Sequence, residues 1–301
     1  MYVITAATGH IGRALALELL AKKQKVRVVG RRADRLQPLV QQGAEAFVGN
    51  VEETGAMTRA FSGAKAVFTL IPPHYSTDNL RAYQNKVSES YASAITAASA
   101  KYVINLSSVG AHLAEKAGPV NGLHDGEKRF NKLEGVNIIH LRPCFFMENV
   151  LLGLDMIKNQ GLYGTALQPD LRLAMISTRD IAHVAADLFL HLDFSGKSVR
   201  ELLGQRELSM KEATQIIGRA IAQPDLKYVQ LAYADTEKAL VGMGLSRDLA
   251  RLFVEMYRST NEGIFRPTEA RTSWNTTPTS FEDFAREVLV PAYQSLAVTS
   301  P

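Results

Sequence analysis

Short apolar runs rich in β-formers alternate with longer stretches of helical spacing through the first half of the chain. YVITA, from Tyr2, gives way to GHIGRALALELLAKK; VRVVG, from Val26, gives way to ADRLQPLVQQG; and AEAFVG leads into ETGAMTRAF. KAVFTLIPP then precedes a long helical pattern from about Thr77 to Ala100, followed by YVINLSS, a helix near His124 to Leu133, and VNIIHLRP. Runs that are apolar on successive positions belong to strands covered on both faces, and strand-helix alternation belongs to a parallel sheet. The pattern predicts a doubly wound α/β domain over residues 1–150.

After Asn149 the rhythm loosens and helical segments dominate: FMENVLLGLDMIKNQ, STRDIAHVAADLFLHL, SMKEATQIIGRAIA, DTEKALVGMG and SRDLARLFVEMYRSTNEG. Ser177 with Asp180, and Ser280 with Asp283, have capping-box spacing at helix starts. Residues 151–301 are therefore expected to form a second, smaller, mostly helical substrate-binding region, with residues 172–205 returning to pack on the first domain.

Composition narrows the class. With 46% hydrophobic and 21% charged residues, the chain is an ordinary globular sequence. The net charge of +4 raises the question of a polyanion partner. Lys22, Lys23, Lys25 and Arg27 surround a helix end and the strand after it, and no run of five like charges occurs, so nucleic acid is not expected. Cys144 is the sole cysteine, which excludes an internal disulfide and thiolate metal clusters. The histidines show no metal-ligand spacing backed by carboxylates, so no metal is expected. The first strand begins at Tyr2, and no apolar run reaches bilayer length, so a cytoplasmic protein without membrane attachment is the expectation.

The turn after the first strand carries the clearest chemistry. It reads Thr5-Ala6-Ala7-Thr8-Gly9-His10-Ile11-Gly12, between a strand and an amphipathic helix. A dinucleotide pyrophosphate needs small residues at such a turn and free amides at the helix start, the arrangement of a Rossmann-type fold. Ala6 stands where a first glycine is usual, and its methyl is tolerable if the backbone stays out of the left-handed region. The second strand ends Gly30-Arg31-Arg32. Without a carboxylate for the ribose hydroxyls, and with two guanidiniums suited to a 2′-phosphate, NADP is expected over NAD.

These residues make the chain similar to the NmrA-like branch of the atypical short-chain dehydrogenase/reductase superfamily. The likeness runs through the loop, Gly30-Arg31-Arg32, Gly49-Asn50-Val51, Leu106-Ser107-Ser108-Val109, Leu141-Arg142-Pro143 with Phe145-Phe146-Met147-Glu148-Asn149, and Ser177-Thr178-Arg179-Asp180-Ile181. The resemblance implies that Asn50 and Val51 flank the adenine, and that Ile71 and Pro72 lie beside the ribose and pyrophosphate. It also implies that Pro143, Phe145 and Phe146 run past the nicotinamide.

The superfamily's usual Tyr-x-x-x-Lys pair is missing, since none of the 10 tyrosines has lysine four residues later. His124 and Lys128 keep that spacing on one helix, so His124 is a candidate proton donor and Lys128 a candidate for the nicotinamide ribose. His74 and Tyr75 follow the Pro-Pro turn, and Ser107 or Ser108 ends a strand where such folds place ligands. Cys144 reads as a packing group. Phe145, Phe146, Met147, Leu151, Leu152 and Met156 are candidates for an apolar substrate wall.

Two functions compete. The first is an NADPH-dependent oxidoreductase delivering hydride to a small, conjugated, largely apolar electrophile of the quinone, enone, imine or dye type. The second is a non-catalytic NADP(H) sensor with a protein partner, as among some relatives. Sugar-nucleotide epimerisation or dehydration shares the fold but relies on the missing tyrosine.

Overall fold

A computed structural model describes residues 1–296. In the first half the apolar runs become strands and the amphipathic stretches become helices: β1 (Tyr2–Ile4), α1 (His10–Ala21), β2 (Val26–Gly30), α2 (Ala33–Val40), β3 (Glu45–Val48) and α3 (Thr54–Phe61). They continue as β4 (Ala66–Thr69), α4 (Leu80–Ala97), β5 (Tyr102–Leu106), α5 (Asn121–Asn131), β6 (Asn137–Pro143) and β7 (Phe145–Phe146). The remainder holds α6 (Leu154–Gln160), β8 (Leu162–Thr165), β9 (Arg172–Ile176), α7 (Thr178–His191), β10 (Lys197–Leu202) and β11 (Glu207–Ser209). It closes with α8 (Met210–Ala220), β12 (Lys227–Gln230), α9 (Tyr233–Gly242), α10 (Arg247–Asn261) and a last helical stretch over residues 281–295.

Seven parallel strands form one sheet in the order β10-β6-β5-β4-β1-β2-β3. The chain winds outward from β1 through β2 and β3, then returns to β1's other side for β4, β5 and β6. That reversal leaves a crevice outside the carboxyl ends of β1 and β4.

Alternation within each strand divides the core in two. Tyr2 and Ile4 join Leu15, Leu36 and Phe189 under α1, α2 and α7, whereas Val3 joins Phe61, Tyr91 and Phe130 under α3, α4 and α5. Each fully buried aliphatic side chain contributes roughly 1.5–3 kcal/mol. The two edge strands depart from two-sided burial: β3 leaves Val48 55% exposed and β10 leaves Val199 37% exposed, so apolar composition at an edge does not mark a covered position.

The later region has its own core around Met147, Val150, Tyr163, Ile217 and Phe284. It contains two small sheets, β11-β9-β7 and β12-β8, which helical spacing does not reveal. Their strands are short, and β7 is only two residues long. The Ser177 side chain caps α7 through Arg179 N. Asp180 does not close a box there: its carboxylate accepts from Thr279 N and the Thr279 hydroxyl, stitching α7 to the C-terminal segment. Ser280 accepts from Asp283 N, but its own hydroxyl donates to the Asp283 carboxylate. The reciprocal box lies at Ser209 and Glu212, opening α8.

Candidate functional site

The turn between β1 and α1 is shaped by two small residues. A Cβ on Gly12 would stand 2.6 Å from Ala6 O and 2.9 Å from Ala7 Cα, so only glycine lets the helix seat against the loop. A Cβ on Gly9 would meet Ala6 O at an ordinary 3.5 Å, so packing alone does not demand glycine there. Ala6 has φ +50°, inside the left-handed region, contrary to the expectation that it avoids it. The turn requires that conformation, and alanine bears the strain that glycine would not. No side chain caps α1, and no acid occupies its first turn, so its leading amides point unclaimed toward the crevice.

The loop's other residues divide between core and surface. Thr5 is fully buried: its hydroxyl donates to Phe68 O and accepts from Leu70 N, tying β1 to β4. Its hydroxyl is therefore committed to the β1–β4 junction. Ala7 and Ile11 are buried in the core, leaving backbone alone for a ligand, while Thr8 and His10 are exposed. Val51 likewise packs under α3, and the Asn50 side chain accepts from Glu52 N to close its own turn.

The two arginines after β2 separate. Arg32 grips Asp34 through Nε and Nη2 at 3.0 and 2.5 Å, and each raises the charged state of the other. Arg31 is exposed, without a hydrogen bond or ion pair among the described residues. Its charge reaches Tyr83, whose phenol burial pushes up to about 12, assisted by Glu52 and opposed by Arg31. Beyond β4, Ile71 and Pro72 are half-buried, His74 stands edge-on to Tyr83 at 5.0 Å, and Tyr75 is exposed.

At the end of β5 lies a group that residue spacing did not single out. Ser107 donates its hydroxyl hydrogen to Glu127 Oε1 at 2.5 Å, and Arg142 reaches the same carboxylate through Nε at 3.0 Å and Nη2 at 2.6 Å. All three lie against the sheet, and Glu127 is only 4% exposed. The signal was available: Leu123, Glu127 and Phe130 follow the spacing of an inward-facing stripe, and an acid on such a stripe needs a buried partner. Ser108 donates to Val109 O.

His124 and Lys128 do not form a joint inward pair. The His124 Nδ1 lies 2.8 Å from Ala111 O, and since a carbonyl only accepts, the ring's proton sits on Nδ1. Neutral His124 therefore has only a lone pair to offer on Nε2. Lys128 is exposed, with no hydrogen bond or ion pair among the described residues.

The FFMEN stretch also departs from expectation. Phe145 and Phe146 pair with Met175 and Ile176, and Met147 belongs to the core of the later region, with Phe145 and Leu151 packed against it. Leu152 is 66% exposed. Apart from Leu152, these side chains pack into the cores of the two regions rather than forming one continuous substrate wall. Cys144 is buried, and burial pushes its thiol far above the usual range.

An open surface cleft of about 560 Å³ is lined instead by His112, Gly263, Ile264, Arg266, Pro267 and Thr268. Phe265 seats this segment by stacking onto Gly110, where φ is +88° and an added Cβ would fall 2.2 Å from the ring. Fully buried Glu201 on β10 anchors its far end, accepting from Thr268 N, the Thr268 hydroxyl and Glu269 N at 2.8–3.0 Å. No pattern in the sequence links residues 263–268 to β5. Among the described residues no helix is long and apolar enough to cross a membrane.

A parallel doubly wound sheet with an uncapped first helix over its switch point is a dinucleotide-binding architecture. The NmrA-like family model matches residues 2–285, and the chain belongs to that family. It is 25% identical over 259 residues to an NAD(P)H azoreductase of Xenophilus azovorans, covering 85% of this chain and 86% of that protein. Two solved structures share the fold. The NADPH-dependent quinone oxidoreductase QOR2 of Escherichia coli, complexed with NADPH, superposes with a TM-score of 0.79 at 21% identity, covering 96% of this chain and 100% of that one. A nucleoside-diphosphate-sugar epimerase of Staphylococcus aureus superposes with a TM-score of 0.81 at 16% identity, covering 95% and 99%.

Proposed function

We propose that this chain is an NADPH-dependent reductase of small conjugated acceptors of the quinone, enone, imine or dye type. The observation that carries the reading is the uncapped start of α1, set on a turn that only Gly12 permits, beside a β2 end that offers Arg31 and no carboxylate. The azoreductase relative and the NADPH-bound quinone reductase fold support the same class.

The residues fit a dinucleotide phosphate: free amides, a cradle a Cβ would fill, and an unpaired guanidinium. In this reading the backbone of Ala6, Ala7, Thr8, Gly9, His10, Ile11 and Gly12 receives the pyrophosphate. Arg31 takes the 2′-phosphate, joined by Arg32 when it exchanges Asp34 for the ligand. Asn50 and Val51 border the adenine, Ile71 and Pro72 the ribose, and Pro143, Phe145 and Phe146 the nicotinamide. When bound, NADPH supplies the hydride. Ser107, whose proton is held by Glu127, presents lone pairs and orients a donor group. Lys128 is the cation available to a ribose, and Tyr75 or protonated His124 is the candidate proton source.

One observation favours the sensor reading: neither Ser107 nor neutral His124 has a free proton to give. NADPH oxidation measured with a panel of quinones, enones and azo dyes decides between them. Sustained turnover supports the reductase; tight binding of both redox forms without turnover on any acceptor supports the sensor. Arg31→Ala is expected to weaken NADPH at least about tenfold while changing NADH less than about twofold, by loss of one charge-assisted contact. Equal loss for both cofactors would remove the 2′-phosphate assignment.

A further inference from the structure

The cleft beside His112 sits on the half of the molecule opposite the β2–β3 edge. One side is His112, from the segment after β5, and the facing wall is held down by Phe265 on Gly110 and by Glu201 on β10. In a doubly wound sheet the second half carries the reacting end of a dinucleotide and its substrate. A volume of about 560 Å³ falls in the range of small-molecule sites.

Its polar groups form a short inventory. The His112 Nδ1 is sealed from solvent and has no hydrogen-bond partner. A buried N–H without an acceptor is rarer and costlier than an unpaired lone pair, so the ring carries its proton on Nε2, the nitrogen left to the cleft. Burial, the Arg142 guanidinium and His124 favour the neutral ring, against the pull of Glu201 and Glu127. The Thr268 hydroxyl is spent on Glu201. Of the nearby acids, Glu127 is closed by Arg142, Glu201 by three donors from the wall, and Glu269 lies 3.4 Å from the Asn275 amide. Arg266 is exposed at the rim and has no ion pair or hydrogen bond among the described residues. Ile264 and Pro267 supply apolar surface, the smaller share of a mostly polar lining.

We infer that this cleft is an acceptor pocket selective for planar aromatic molecules bearing an acid group, with Arg266 pairing the anion and His112 Nε2–H bonding an oxygen or nitrogen of the ring system. The word acceptor rests on the reductase reading; the pocket's ligand preference does not. A neutral imidazole polarises a carbonyl without surrendering its proton, so His112 positions and activates the acceptor and leaves the proton to the donors named above.

The test separates the two readings. Naphthalene-2-sulfonate and its neutral analogue naphthalene-2-sulfonamide, neither of which accepts hydride, are titrated calorimetrically into the full chain at low and moderate salt. The sulfonate is expected to bind at least about tenfold more tightly, the preference shrinking as salt screens it. Arg266→Ala should abolish the preference, Arg266→Lys should restore part of it, and His112→Leu should weaken both ligands. NADPH affinity should not change in Arg266→Ala, which reports that the variant is folded. Equal binding of the two ligands, binding of neither, or a preference that survives in Arg266→Ala overturns the inference. In parallel, NADPH oxidation is followed with 1,2-naphthoquinone and its 4-sulfonate. Absence of turnover with both, alongside the expected calorimetry, defeats the reductase reading and leaves the pocket standing. Equal turnover of both quinones, unaltered in Arg266→Ala, defeats the pocket and leaves the reductase standing.

Discussion

Ala6 and Gly12 lie six positions apart in one turn, yet they respond to a methyl in opposite ways. Ala6 already occupies φ +50°, where an L side chain costs about 1–2 kcal/mol. Ala6→Gly removes that strain, at a cost of about 0.4–1 kcal/mol from the freer unfolded chain. The expected outcome is a gain of up to about 1.6 kcal/mol in urea unfolding, with NADPH binding retained. Gly12→Ala places a Cβ 2.6 Å from a backbone oxygen that cannot swing aside. It should lose about 2 kcal/mol of stability, by analogy with overpacked cores, and nearly all cofactor affinity. A destabilised Ala6→Gly would mean that the turn does not hold alanine under strain. The sequence marks this turn as a phosphate loop, but strain is a property of dihedral angles, which residue identity leaves open.

The elements around β5 show where reading a sequence stops. Strand, helix and loop order through β6 follow from apolar periodicity, because the period of each segment is local. The partner of Glu127 is not local: Arg142 lies fifteen positions on, across the junction of α5 with β6. Glu127 on an inward stripe signals that some partner exists but not which. Likewise, residues 263–268 meet His112 only because α10 and the Glu201 anchor bring them back. Glu127→Ala leaves the Arg142 guanidinium half-buried and unpaired, and should cost about 3 kcal/mol. Adding Arg142→Met to it should recover much of that loss, since a neutral pair removes the stranded charge. Urea denaturation of the two single variants and the double variant checks this; additive losses would show that the pair is not coupled.

At the scale of the whole molecule, one polar chain runs across the sheet. Thr69 on β4 donates to Asn105 Oδ1 on β5; the Asn105 amide donates to His140 Nδ1 on β6; and His140 Nε2 donates to Asn131 on α5. Each partner fixes the next, so Nδ1 must stay unprotonated: a proton there would face the Asn105 NH₂ group. Burial lowers the His140 value from 6.5 to about 4. The unfolded chain therefore takes up a proton near pH 6.5 that the native state refuses until about pH 4. Stability from this group is fully present above pH 6.5 and is lost as pH falls through that window, by up to about 3 kcal/mol at roughly 1.4 kcal/mol per unit. Asp125, held at about 2 by Arg81, fades in a separate and lower window beginning near its ordinary 3.8. Urea midpoints measured from pH 7.5 down to pH 4 should fall steadily in the wild type. His140→Gln should start less stable and show a flatter decline over the same range, because no proton is then refused. A slope unchanged by the substitution would place the acid sensitivity outside this chain.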